Sequence, residues 1–429
     1  MKRYWRDNMV LNKIIKSVSV KKVENKVSHE LELTRYLLDY PKTPIFFKNV
    51  NNQKVLGNLW SKRERIEKYF QCNRQNLIKK ILSAIDKPVE CEVVEKAPFM
   101  ENIIKDVDLY KLPIPKFYPK DGGRYLTAAI CVAEWNGKRN LSYHRLMVLD
   151  KNHFVGRIVP RHLYRMMTES IEKFGEFPVT FIVGTPLEIM LSAALSVSYE
   201  EDELKIASAL QKSRIGKPLQ LIYYEKDFIA PVESEYVFQC KILNKRAKEG
   251  PFVDICNLYD SVRDEPVIKV ERIYHCTDPI LQIILPGGYE HFYMMGMPRE
   301  PLLYRSLTQS GINVKDVRLT EGGCSWLHGI VSIKKSREGD GKNAILAAFA
   351  GHSSMKHVIV VDDDIDIYNE HEVEWAIATR FQADKGIVIV PGATMSSLDP
   401  SSQDGFGTKM GIDATKPLKG KEKFERARL

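Results

Sequence analysis

Apolar positions recur with helical spacing at 29–40 (HELELTRYLLDY) and 63–85 (RERIEKYFQCNRQNLIKKILSAI), and a strand-like run, PIFFKNV, lies between them at 44–50. Residues 86–124 are interrupted by prolines and end at a turn, Asp121-Gly122-Gly123. From 125 the pattern turns to strands: 125–135, 141–150, 153–160, 179–184, 219–225, 236–243 and 266–276. One helix with an acidic first turn, EDELKIASALQK at 201–212, interrupts them. This block predicts a β-barrel or sandwich with one or two inserted helices. From 286 helices and strands alternate, and VIVV runs straight into DDDID. That is the pattern of a buried parallel strand whose C-terminal end carries carboxylates, so a three-layer α/β unit is predicted there. The expected domains are an N-terminal α/β domain at 1–115, a central β domain at 116–285 and a C-terminal α/β domain at 286–429.

Composition narrows the function classes. The chain has 429 residues, 44% hydrophobic and 28% charged, which excludes a mainly disordered protein. No apolar run reaches the roughly 18 residues of a membrane span, and the N-terminal segment MKRYWRDNMVLNKIIKSVSVKK lacks the apolar core of a leader. The net charge of +9 is spread along the chain except after Lys416, where KPLKGKEKFERARL is basic. Without a basic stripe a nucleic-acid partner is not expected, although an anionic substrate or cofactor could draw on the excess. Seven cysteines with no CxxC pairing read as reduced, mostly buried thiols of a cytoplasmic protein.

Two constellations could carry chemistry. If strands 140–150 and 153–162 form a regular hairpin about Asp150-Lys151-Asn152-His153, Asn140 falls opposite Leu163, next to His162. An amide oxygen and an imidazole at one hairpin end suit Mn2+ or Mg2+ better than a thiolate zinc site, but the residues alone select no third, acidic ligand. In EGPFVD, Glu249 and Asp254 flank the turn dipeptide Gly250-Pro251. Two close carboxylates beside an arginine can keep a general acid protonated; the same residues could equally form a polar surface turn. Asp362, Asp363, Asp364 and Asp366 at a strand end are a further candidate metal cluster, or a sheet edge with no ligand role. LPGGYEHFYMMGMPREP at 285–301 offers Gly287-Gly288 for a close backbone approach, without a dinucleotide or P-loop pattern.

Taken in order, PIFFKNV…NLWSKRERI, DLYKLPIP…DGGRYLT, NLSYHR, His162, PVESEYVF, EGPFVD, LPGGYEH…MGMPREP, VVDDDID, WAIATR and LDPSS…KMGIDATKP resemble the UbiD family of non-oxidative decarboxylases over nearly the whole chain. The resemblance implies an α/β (α+β) fold with a central split β-barrel of the flavin-reductase type. It implies prenylated FMN, anchored through its phosphate to Mn2+ (or Mg2+) with K+ nearby. The implied metal ligands are Asn140, His162 and Glu235, with Ser192, Ser196 or Ser198 near the potassium. Arg145 would touch the cofactor, orient the substrate carboxylate bidentately and hold two acids, Glu249 and the proton donor Asp254. Regular strand alternation puts Asn140 and Arg145 on opposite faces, so a bulge or strand end must lie between them. Two departures stand out: Val253 replaces a frequent glycine, and ALSVSYEEDE lacks the family's prolines.

Loss of CO2 from an sp2 carbon leaves a carbanion that no side chain stabilises, hence the need for a cofactor as electron sink. The compact length and LPGGYEH…MGMPREP resemble the archaeal branch. That implies decarboxylation of trans-anhydromevalonate 5-phosphate to isopentenyl phosphate, with an aromatic acid such as a 4-hydroxybenzoate derivative as the alternative. A flavin prenyltransferase would supply the cofactor, and the expected assembly is a homodimer or homohexamer. A non-catalytic flavin-binding protein is the reading of a different class.

Overall fold

The computed structural model describes residues 9–427. Residues 1–8, the start of the segment read above as lacking a leader, and 428–429, the end of the basic tail, lie outside the described residues. The chain forms two compact units, Met1–Gln71 with Ser83–Met294 and Cys72–Leu82 with Met295–Leu429. The helix predicted over 63–85 is two helices, Arg63–Tyr69 and Arg74–Asp86, broken where Gln71 adopts φ 52°. That break falls at the junction of the units.

In the first unit the N-terminal strands Lys21–Val27, Ile45–Val50 and Gln53–Gly57 form a sheet completed by Ile280–Gln282. N-terminal and central blocks therefore share a sheet within the first unit. The main sheet has nine strands. Its path runs Tyr125–Leu126, Leu146–Val148, His153–Gly156, Arg263–His275, Tyr236–Glu249, Glu176–Val183, Ile130–Trp135 and Lys138–Tyr143, with Asn102–Ile104 paired to Arg263–His275. The path does not close, so the expected barrel is an open, wholly antiparallel sheet. Its spine is the long pair that runs from Tyr236 opposite His275 to Glu249 opposite Arg263. Phe177, Phe181, Phe238 and Phe154 are wholly buried along these strands, which gives the sheet the apolar support that fixes its register. Strand 219–225, predicted in the same block, instead pairs with Phe228–Pro231 and Glu92–Val93 in a small separate sheet.

The second unit is the predicted α/β layer structure. Its five strands run in the order Val314–Leu319, His328–Ile333, His357–Asp362, Phe406–Ala414, Ile387–Thr394, with the three central strands mutually parallel. Alternation along His328–Ile333 places Val331 and Ile333 against helices Arg299–Gln309 and Asp340–Gly351. Ile330 packs on the opposite face with helix Glu370–Arg380. Two helical layers thus enclose one sheet.

Candidate active site

Glu249 is the last residue of the long strand Tyr236–Glu249 and is wholly buried. The next residue, Gly250, has φ +99°, a conformation that L side chains rarely adopt, and a cis peptide links it to Pro251. Phe252–Val253 then pairs with Tyr259–Asp260 in a short hairpin whose loop carries Asp254, with the Asp254 N–H donating to Leu258 O at 2.9 Å. A second loop packs close by: the Gly122 N–H donates to Pro251 O at 2.8 Å, and a Cβ on Gly122 would lie 2.1 Å from Gly250 O. The Asp121-Gly122-Gly123 turn is therefore a support for the EGPFVD loop. Burial pushes the Asp121 carboxyl up to about 6, against the backbone N–H of Tyr118 that favours its ionised form.

Arg145 reaches this loop from a gap between strands Lys138–Tyr143 and Leu146–Val148. The strand end at Tyr143 removes the alternation conflict, since Asn140 and Arg145 do not lie on one regular strand. The Arg145 guanidinium grips Glu249 with two bonds, Nε to Oε1 at 3.0 Å and Nη2 to Oε2 at 2.9 Å. Nη1 donates to Asp254 Oδ2 at 2.9 Å, and Nη2 donates also to Asp260 Oδ2 at 2.9 Å. Tyr125 Oη donates to Glu249 Oε1 at 3.0 Å, and its own ionisation is pushed far up by burial and by the Glu249 charge. The Arg145 guanidinium lies 4.7 Å from the Phe252 ring centroid. Burial alone would disfavour its charge, but Glu249, Asp254 and Asp260 override that and raise its proton affinity further. Four of the five guanidinium N–H groups are engaged by these carboxylates, which leaves one for a substrate. Bidentate docking of the substrate carboxylate, expected from the resemblance, is thus not what the arrangement offers; Arg145 organises acids.

LPGGYEH completes the pocket. Gly287 has φ +68° and approaches Asn257, two residues before Tyr259, so closely that a Cβ would meet Asn257 Oδ1 at 2.9 Å. The Gly287 N–H donates to His291 Nδ1 at 3.2 Å, so a neutral His291 carries its hydrogen on Nε2. Burial lowers the proton affinity of His291, Asp254 raises it and Arg145 lowers it.

Asn140 and His162 do meet, but not through a hairpin. Asn140 pairs with Ala133, and His162 is the first residue of helix His162–Phe174 because the strand from His153 stops at Gly156. The carboxylate that joins them is Glu203, at the start of helix Glu203–Ile215, behind the N-cap Asp202. Asn140 Nδ2 donates to Glu203 Oε1 at 3.1 Å, the Leu141 N–H donates to Oε2 at 3.1 Å, and His162 Nδ1 lies 3.8 Å from Oε1. Glu235 is elsewhere. It lies four residues before Gln239, which is level with Asn140's neighbours through Thr180 and Val132. At about 3.3 Å per residue that is more than ~10 Å along the strands, and three strands across. Its Oε2 accepts the Ile280 N–H at 3.2 Å.

A neighbouring chain of bonds indicates what the Asn140 group suits. His144, which burial lowers to about 4, is neutral near pH 7. Its Nδ1 lies 2.9 Å from Arg157 O, a pure acceptor, so the hydrogen is on Nδ1 and Nε2 must accept the Ser142 hydroxyl at 2.9 Å. That hydroxyl has one proton, so Asn140 Oδ1, 3.0 Å from Ser142 Oγ, receives none from it. A buried carbonyl oxygen thus stands short of a donor, beside a carboxylate that burial pushes toward neutrality and an imidazole. Oxygen, oxygen and nitrogen donors in this state fit a hard divalent cation. Among the described residues no three His, Cys, Asp or Glu side chains cluster for a metal, so the amide is essential to any such site. The serines suggested for potassium are dispersed in role: Ser192 Oγ is buried without a partner among the described residues, Ser196 Oγ accepts from Arg161 at 3.4 Å, and the Ser198 N–H donates to Glu201 Oε2 at 2.7 Å.

The aspartate run of the second unit is occupied by cations. Arg380 binds Asp362 and Asp364, Lys416 binds both through its N–H and Nζ, and Arg74 binds Asp366. Burial opposes the Asp364 charge, but Arg380 and Lys416 hold it at about 2. Three of the four candidate aspartates, Asp362, Asp364 and Asp366, are thus tied to cations.

Family models cover most of the chain in the order seen in the fold. The N-terminal, Rift-related and C-terminal domains of 3-octaprenyl-4-hydroxybenzoate carboxy-lyase match residues 16–85, 92–289 and 292–414. The chain belongs to the UbiD family. It is a decarboxylase, and a merely flavin-binding role is set aside. The anhydromevalonate phosphate decarboxylase of Methanocaldococcus jannaschii is 41% identical over 94% of this chain and 96% of its own. The protein of that name from Methanosarcina mazei is 43% identical over 94% of each. The UbiD-class enzyme HmfF from Pelotomaculum thermopropionicum, solved in complex with FMN, superimposes with a TM-score of 0.94 at 35% identity, over 100% of this chain and 97% of its own. An evolved dimeric form of HmfF, solved with prFMN, gives 0.89 at 33% identity.

Glu203, Asp260, Tyr125 and His291 were not singled out in the sequence. His291 and Tyr125 lie within segments that were, and Glu203 ends the quoted ALSVSYEEDE stretch and opens a predicted helix; Asp260 carries no local signal. No helix of the described residues is long and apolar enough to cross a membrane.

Proposed function

We propose that this UbiD-family decarboxylase converts trans-anhydromevalonate 5-phosphate to isopentenyl phosphate and CO2, with prenylated FMN supplied by a flavin prenyltransferase and with Mn2+ or Mg2+ held by Asn140, His162 and Glu203. The substrate assignment draws on relatives that share that substrate name, at 40–43% identity over nearly their full length. The observation that carries the chemistry is one guanidinium, Arg145, bonded to Glu249 and Asp254 inside a largely buried pocket.

When bound, the cofactor supplies the electron sink that the departing carboxylate requires. The protein's residues do the rest. Glu203, His162 and the Asn140 carbonyl would hold the cation that neutralises the cofactor's phosphate. Arg145 holds Glu249 by two bonds and fixes Asp254 by one, Nη1 to Oδ2. Of the carboxylates on Arg145, Asp254 is the most accessible, its side chain 19% exposed against 0% for Glu249 and 9% for Asp260. It is therefore the group placed to give a proton to the carbon that loses CO2. The C–C bonding pair stays on that carbon, the Asp254 O–H bond breaks toward it, and solvent returns the proton to Asp254. Positioned acid catalysis of this kind contributes about 10²–10⁴-fold.

The test is co-expression with a flavin prenyltransferase, followed by incubation with trans-anhydromevalonate 5-phosphate or with 4-hydroxybenzoate. CO2 from the first and not the second is expected, with Asp254→Asn at least about 100-fold slower while flavin stays bound. CO2 from the aromatic acid alone overturns the substrate assignment. An Asp254→Asn variant with normal turnover removes Asp254 from the donor role.

A further inference from the structure

The hairpin that carries Asp254 also carries a second acid, Asp260, aimed at the same arginine. Phe252 and Asp260 are register partners across it, so its geometry fixes both carboxylates relative to Arg145. Asp260 Oδ2 lies 2.9 Å from Arg145 Nη2, 2.6 Å from Arg263 Nη1 and 3.9 Å from Arg157 Nε. Its Oδ1 accepts the Ser261 N–H at 2.9 Å. Arg157 in turn binds Glu265 at 2.7 Å. The cluster therefore holds four carboxylates (Glu249, Asp254, Asp260 and Glu265) against three guanidiniums (Arg145, Arg157 and Arg263). The neighbouring titratable groups add no positive charge: Tyr125 donates to Glu249 as a phenol, and His291 is pushed toward its neutral form by burial.

One carboxylate is in excess. Like charges packed this closely repel one another. Glu249 has both oxygens on Arg145, and Asp260 has salt bridges to Arg145 and Arg263. Asp254 has a single guanidinium bond and the greatest exposure.

We propose that Asp260 is a positioning residue for decarboxylation: it fixes the second Nη2 hydrogen of Arg145, which aims Nη1 at Asp254, and it adds a negative charge beside the donor. This rests on the assignment of Asp254 as donor made above. Neutralising Asp260 balances the cluster at three against three and removes one negative charge from beside the donor.

The test is the pH dependence of kcat for Asp260→Asn, Asp260→Glu and Arg263→Gln, measured on whichever acid the wild type decarboxylates. Asp260→Asn should move the alkaline limb to lower pH by about one unit, the size of one like charge removed at this range. KM should change less than kcat, and Asp260→Glu should restore the limb. Arg263→Gln removes a positive charge and should move the limb the opposite way, a result that general loosening of the loop does not give. This variant also carries the test if Asp260→Asn fails to fold. Wild-type pH profiles in both Asp260→Asn and Arg263→Gln, or a uniform loss at every pH, overturn the proposal while leaving the decarboxylase assignment intact.

Discussion

Replacing Glu203 by glutamine should have opposite consequences with and without metal. Without metal, Glu203 is a buried carboxylate with the His162 Nδ1 atom 3.8 Å from its Oε1. Burial raises its proton affinity above that of the unfolded chain. A raised carboxylate binds protons more readily in the folded state, so its contribution to stability falls as pH rises above about 4.3, its unfolded value. At pH 7 the variant, which keeps an acceptor for the Leu141 N–H, should be at least as stable as wild type in EDTA. With Mn2+ at about a hundred times its Kd, the wild type gains ~2.7 kcal/mol by mass action, or roughly 5 °C in Tm for a unit of this size. Glu203→Gln should gain little of this, because the charged ligand is gone. The assay is thermal unfolding of the FMN-loaded protein in EDTA and in Mn2+, with Glu235→Gln as the comparison. Glu235→Gln should keep the metal-dependent shift. A Glu203→Gln protein that retains the full shift, while Glu235→Gln loses it, refutes the assignment drawn from the geometry.

Two further expectations follow from the packing. Gly122→Ala places a methyl group 2.1 Å from Gly250 O, which forces the EGPFVD loop away from Arg145; overpacking of this kind costs ~1–3 kcal/mol, and urea unfolding together with kcat should both report it. Unchanged kcat would show that the loop is not held by this contact. In the second unit His328 and His352 are both lowered by burial to about 4, while the unfolded residues titrate near 6.5. Between those values the unfolded state binds more protons, so stability should be full above about pH 6.5 and decline as pH falls toward 4. His352→Gln should flatten the urea midpoint over that range; an unaltered slope excludes His352 as a contributor.

Periodicity was enough to predict the layered second unit. Its strands read as apolar runs because both faces are covered, and its helices carry one or two apolar faces of their own. The EGPFVD acids and Arg145 were likewise marked by local order, through the motifs that resemble the family. Tertiary structure decided which acid meets which base. Glu235 and Glu203 are both buried glutamates at the start of regular elements, and nothing in their flanking residues says which one faces Asn140; the register of Glu176–Val183 and the docking of helix Glu203–Ile215 do. The same holds for Asp260, which is an ordinary polar residue in the chain and a neighbour of Arg145 only after a hairpin and a sheet have brought together positions 115 residues apart. Local pattern reports what each segment can bury, whereas a site is a set of distances between segments, and those distances exist only once the sheet has closed its long-range pairs.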